Sequence, residues 1–134
     1  MQIHEVMTPC PHVIDAKASL TDAVKKMKLQ GIRHLPVVKD GTLLGVVTEH
    51  DVELSELVCK ISNFCPAVGD LCIRDVYSVT ADALVADVSF EMAENKRDCA
   101  IVVDNDDKIV GIFTTIDACR LVHLALRGKD EAFE

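Results

Sequence analysis

The chain has 134 residues, 49% of them apolar, enough to bury a sizeable core as one domain or as two very small ones that share a core. Aromatic residues make up 4%, with no Trp, which predicts an aliphatic core and leaves no platform on which single-stranded bases could stack. A net charge of −8 repels polyanions at long range, so nucleic acid is not an expected partner and any phosphate site has to be local.

No apolar run approaches the roughly 18 residues of a membrane span. The start Met1-Gln2-Ile3-His4-Glu5 lacks the basic-then-apolar pattern of a signal peptide, so a cytoplasmic location is expected. The six Cys, at positions 10, 59, 65, 72, 99 and 119, contain no CxxC pair and several lie among apolar residues, which reads as six free thiols. Neither Cys59, Cys65 and Cys72 nor His4, Cys10 and His12 have the close ligand spacing of a structural zinc site, so no metal is expected.

Taken in chain order, Val13-Ile14 reads as a short strand. Residues 19–30 read as a helix, with Leu20, Ala23, Val24 and Met27 at helical spacing, Ser19 as its cap and Gly31 as its stop. Residues 35–38 and 43–47 are β-branched runs joined by Asp40-Gly41, which predicts an antiparallel hairpin. A second helix starts near Glu49 and carries Leu54, Leu57, Val58 and Ile61 as one apolar stripe. Residues 62–72, with Pro66 and Gly69, read as a connector.

The pattern then repeats. Asp22, Met27 and Val37-Val38 recur as Asp87, Met92 and Val102-Val103, displaced by 65 positions, and Gly45, Thr48 and Asp51 recur as Gly111, Thr114 and Asp117, displaced by 66. One extra residue in a hairpin loop, 104–108 against 39–42, explains the change of offset. The second copy ends in a helix carrying Ala118, Leu121, Val122 and Ala125, predicted to stop near Gly128. The expected division is repeat one at 1–61, connector 62–72, repeat two at 73–128 and a polar tail at 129–134. The fold class is therefore α/β (α+β): two βαββα units packed with pseudo-twofold symmetry.

Each copy places Gly late in a buried strand, a hydroxyl at the strand-to-helix turn and a carboxylate three residues on. A carboxylate accepts two hydrogen bonds at once and suits the vicinal hydroxyls of a ribose, while the Thr hydroxyl and nearby N–H groups suit a phosphate. The same Thr-x-x-Asp spacing is also that of a helix cap, worth about 1 kcal/mol, and spacing alone favours the cap. The chain shows no Ser-His-Asp grouping, P-loop or GxGxxG, so an enzyme is not expected.

The doubled pattern resembles the tandem cystathionine-β-synthase (CBS) domain pair, or Bateman module, over nearly the whole chain. The resemblance is carried by Val6-Met7-Thr8-Pro9, Gly31-Ile32-Arg33-His34-Leu35-Pro36-Val37-Val38, Gly45-Val46-Val47-Thr48-Glu49-His50-Asp51, Arg97-Asp98-Cys99-Ala100-Ile101-Val102-Val103, and Gly111-Ile112-Phe113-Thr114-Thr115-Ile116-Asp117. It implies a homodimer of such pairs and regulatory binding of AMP, ADP, ATP or S-adenosylmethionine, with no cofactor required. It further implies one cleft built from Thr8, His12, Ile32, Arg33, His34, Thr114 and Asp117, and another from Thr48, Asp51, Tyr77, Arg97, Asp98 and Cys99. Asp98 replaces Arg33 in the second copy, so the cleft of Thr114 and Asp117 is expected to be the better equipped, with Arg33, His34 and His50 as its positive charge. The output would fall on an effector protein of another chain. The competing expectation is a ligand-free module that dimerises or docks on an enzyme or transporter, its Thr and Asp serving as caps alone.

Overall fold

The computed structural model describes residues 1–9 and 11–133, with side chains up to residue 128; Cys10 and Glu134, the last residue of the expected tail, lie outside it. The chain forms two compact units, one of His12–Val76 and one of Met1–Pro11 with Tyr77–Glu134. The first eleven residues, which the sequence division gives to repeat one, thus build part of the second unit.

In the His12–Val76 unit, β2 (Ile14–Asp15) pairs parallel with β3 (His34–Lys39), and β3 pairs antiparallel with β4 (Thr42–Thr48). Helix α1 (Leu20–Gln30) has the caps its sequence predicts. The Ser19 hydroxyl accepts from the Asp22 N–H at 3.1 Å, and Gly31 closes the helix at φ 64°. Asp40 and Gly41 both take positive φ, 52° and 81°, which matches the twist of the flanking strands and makes a two-residue hairpin. Ile14, Leu20, Val24, Met27, Leu35, Val37 and Val47 close over one another as an aliphatic core.

Helix α2 (Glu49–Ser62) departs from expectation. Its predicted stripe of Leu54, Leu57, Val58 and Ile61 is 45–77% exposed. The face turned inward is Val52, buried, with Ser55, Glu56 and Cys59 half-buried at helical spacing. Periodicity identified an apolar stripe but not the face that the unit covers. The expected connector holds a short helix, α3 (Val68–Leu71), because Val68 N–H donates to the Ala18 carbonyl at 3.0 Å and Gly69 N–H to that of Ala16 at 2.8 Å, burying Val68 in the core. Farther on, Ile73 exchanges two backbone hydrogen bonds with Val46, at 2.8 and 3.0 Å, along the outer edge of β4. Six free thiols were expected, and here too the structure differs: Cys59 and Cys65 are disulfide-bonded, while Cys72, Cys99 and Cys119 are free.

The other unit repeats the plan with β5 (Ser78–Val79), α4 (Val85–Glu94), β6 (Cys99–Val103), β7 (Ile109–Thr114) and α5 (Thr115–Phe133). Its sheet order is β1-β7-β6-β5, where β1 (Thr8–Pro9) supplies the edge strand that Ile73 supplies in the first unit. Phe113 is wholly buried among Ile3, Val88, Met92, Ala100 and Val102, so this core is not purely aliphatic as expected. Helix α5 runs past Gly128 into the expected tail. Gly128 has no positive φ there, and a glycine ends a helix by adopting the left-handed conformation, not by its mere presence.

Candidate functional site

Both Thr-x-x-Asp segments lie where a strand turns into a helix, and both cap that helix, in opposite senses. At the start of α2, Thr48 is the N-cap and its Oγ1 accepts from the Asp51 N–H at 3.3 Å. The Asp51 carboxylate is half-buried, and among the described residues it takes no hydrogen bond or ion pair. At the start of α5 the Asp117 carboxylate does the capping. Its Oδ2 accepts from the Thr114 N–H at 2.9 Å and from the Thr114 hydroxyl at 3.3 Å. Its Oδ1 faces the Arg120 guanidinium at 3.5 Å. Asp117 is 7% exposed, the sole buried charged side chain among the described residues. The two copies use the two halves of one capping box, so identical spacing leaves one carboxylate open and the other committed.

The surrounding expected residues divide between the units. In the His12–Val76 unit, His34 pairs with Thr48 across the β3–β4 ladder, and the Arg33 carbonyl accepts from the Glu49 N–H at 2.9 Å, so Ile32, Arg33 and His34 enter β3 beside the Thr48 turn. His12 lies in this unit and is exposed. In the other unit Thr8 pairs with Ile112, two residues before Thr114, and Cys99 pairs with Thr114. The Asp98 carbonyl accepts from the Thr115 N–H at 3.1 Å. The Arg97 guanidinium stands 6.0 Å from the centre of the Tyr77 ring, within reach of a cation–π contact. Burial raises the Tyr77 pKa, Glu91 and Asp87 raise it further, and Arg97 opposes them.

Burial also pushes the Cys99 thiol up, to about 11, with Asp98 adding to the rise and Arg97 countering it. Below its pKa a thiol gains about tenfold in thiolate per pH unit, so at pH 8 roughly one Cys99 in a thousand is ionised. Iodoacetamide at pH 8 should therefore label the exposed Cys119 before the half-buried Cys99, and raising the pH to 10 should speed Cys99 about 100-fold. Peptide mass spectrometry reads both rates.

Two features of the site are not in the sequence expectation. Arg120, beside Asp117, was visible only as a basic residue one turn on. The glycines of the two motifs have a role the motif alone does not reveal. A Cβ on Gly45 would meet the Ile73 carbonyl oxygen at 2.5 Å, and one on Gly111 would collide with the Met7 side chain. In each unit the missing side chain lets an edge segment lie against the strand that leads to the Thr turn.

Two small sheets, each flanked by helices and each ending in the same Gly-x-x-Thr-x-x-Asp turn, define a paired-repeat α+β module. The CBS domain model matches residues 3–53 and 68–124, and the chain belongs to the CBS domain family as a tandem pair. Among solved structures, a putative acetoin utilization protein (AcuB) from Vibrio cholerae is 28% identical with a TM-score of 0.83, over 98% of this chain and 96% of that one. CBSX2 in complex with AMP is 31% identical with a TM-score of 0.76, over 96% and 98%. The CBS domain pair of protein MJ0100, in complex with 5′-methylthioadenosine and S-adenosyl-L-methionine, is 25% identical with a TM-score of 0.79, over 91% and 95%. The chain spans less than half the length of the curated relatives it matches, 43% of the first and 24% of a homoserine O-acetyltransferase from Methanococcoides burtonii. No helix among the described residues is long and apolar enough to cross a membrane.

Proposed function

We propose that this chain is a regulatory module without catalytic activity of its own, binding an adenosine derivative (AMP, ADP, ATP or S-adenosylmethionine) at its Thr-x-x-Asp turns and acting on an effector protein. The observation that carries the reading is the turn built twice, with a carboxylate in the first turn of the helix in both copies. The adenosine ligands in similar CBS pairs support it. We assign ribose contacts to Asp51 and Asp117, the carboxylates of the two turns. The open carboxylate of Asp51 makes the site once expected to be the weaker an equal candidate.

The test separates cap from ligand contact. A ligand at about 100 times its Kd stabilises the folded state by about 2.7 kcal/mol, or roughly 10 °C in Tm for a chain of this size. Asp51→Ala, which removes no cap bond, should leave the ligand-free Tm within about 2 °C and remove the ligand shift at its site. Asp117→Ala should lower the ligand-free stability by about 1–2 kcal/mol as well, because three contacts to a buried carboxylate are lost. A flat thermal response to AMP, ATP and S-adenosylmethionine would sink the ligand reading.

The exposed stripe Leu54, Leu57, Val58 and Ile61 on α2, and Ile116, Val122, Leu124 and Leu126 on α5, favour a second role, self-association into a homodimer. Native mass spectrometry of the protein as purified reads the oligomer and any retained nucleotide together.

A further inference from the structure

Cys59 lies in the last turn of α2, where Asn63, left-handed at φ 60°, turns the chain back so that Cys65 meets it. The disulfide joins them with their Cα atoms 4.7 Å apart. Little else fixes the residues between. The Asn63 N–H closes the helix on the Cys59 carbonyl at 2.9 Å, the Phe64 N–H donates to Ser62 Oγ at 3.3 Å, and Asn63, Phe64 and Cys65 are all exposed. Firm anchoring resumes at Ala67, whose N–H donates to Asp70 Oδ2 at 3.0 Å, and at buried Val68. Cys59, Cys65 and Pro66 form one wall of a concavity of about 260 Å³, lined also by Lys17, Ser19, Thr21 and Glu56.

We infer that Cys59 and Cys65 form a redox clasp, opened by a dithiol reductant and closed by the corresponding disulfide oxidant, which sets whether residues 63–66 are held against α2. Cys65 is exposed and Cys59 half-buried, so an attacking thiolate reaches Cys65 first. It forms a mixed disulfide there, the Cys59–Cys65 bond breaks, and Cys59 leaves as a thiolate that takes up a proton. The reductant's second thiol then displaces Cys65, so two electrons and two protons pass to the pair and the reductant becomes a disulfide. The bond closes a short loop, a separation of six residues, and loop-closure stabilisation grows with length, so its loss leaves the unit folded. Val52 and Val68 hold α2 and α3 in the core by their own burial in either state. In a reducing compartment such a bond is a transient signal; in an oxidising one it persists.

The full chain is equilibrated in graded mixtures of reduced and oxidised dithiothreitol, quenched in acid, alkylated and mapped by peptide mass spectrometry, with amide exchange measured in parallel. Cys59 and Cys65 should gain label together as the mixture becomes reducing. Exchange at residues 63–65 should accelerate about tenfold or more while the amides of Val52 and Val68 keep their protection. The double variant Cys59→Ser, Cys65→Ser should exchange fast at residues 63–65 in every mixture, and should it not fold, the titration of the unaltered chain decides alone. Failure of the bond to form in the most oxidising mixture overturns the clasp. So does exchange at 63–65 that is equal in both states, or loss of protection at Val52 and Val68 on reduction, which would make the bond a structural requirement.

Discussion

Phe113→Ala should cost about 3–5 kcal/mol, the largest loss expected from any single truncation in the Met1–Pro11 and Tyr77–Glu134 unit. Phe113 is fully buried, while Phe64 and Phe90 are about two-thirds exposed, so among the described phenylalanines it alone fills a core. It enters from β7, opposite Ala100 on β6, and the small side chain there makes the room that the ring occupies. Removing the ring leaves Ile3, Val88, Met92 and Val102 facing a void. They are attached to a 3₁₀ turn, a helix and a strand that cannot all move inward together. With total stabilities of domains near 5–15 kcal/mol, the variant should unfold at a much lower urea concentration, and Phe113→Leu, which keeps most of the volume, should recover more than half of the loss. A cost below about 1.5 kcal/mol would mean that the core collapses around the site.

The loss at Phe113 also shows which features were legible in the sequence. Position 113 matches Val47 of the other copy, so its inward direction was readable from the repeat, but its weight was not, because low aromatic content argues about averages. Features governed by neighbouring residues were readable: the cap at Ser19, the stop at Gly31, the Asp40-Gly41 hairpin and the longer 104–108 loop. Features governed by distant contacts were not. The two-residue strand Thr8–Pro9 is too short to carry a period, so nothing local says that it joins β7 a hundred residues on. The disulfide was missed because a spacing of six matches no local pattern; the left-handed turn at Asn63 brings the sulfurs together. At the candidate site the residue types were legible and the roles were not. Thr48-x-x-Asp51 and Thr114-x-x-Asp117 read alike, yet one Asp is open and the other is bound up with Thr114 and Arg120.

Gly45→Ala should destabilise the His12–Val76 unit by about 3 kcal/mol, whereas the equivalent change at Gly111 should cost about 1 kcal/mol. Both glycines sit at the same place in their strands and both face an incoming segment, so motif reasoning predicts equal effects. The contacts predict otherwise. The new methyl at position 45 would stand 2.5 Å from the Ile73 carbonyl oxygen, 2.8 Å from Cys72 Sγ and 3.1 Å from the Ile73 carbonyl carbon. Two of these atoms are backbone, and that backbone is tied to β4 by the paired bonds between Val46 and Ile73. Relief of the clash must stretch both hydrogen bonds, each worth about 1 kcal/mol, and push the edge segment outward. At position 111 the obstacle is the Met7 side chain, whose three rotatable bonds let it swing aside. The lower backbone entropy of alanine in the unfolded chain offsets about 0.4–1 kcal/mol in both variants and leaves the difference intact. Urea denaturation of the two variants gives that difference directly. Because Gly45 lies three residues before the Thr48 cap, the displaced edge should also loosen the turn that presents Asp51. The ligand-induced Tm shift should then fall more in Gly45→Ala than in Gly111→Ala, a comparison that stability loss by itself does not predict.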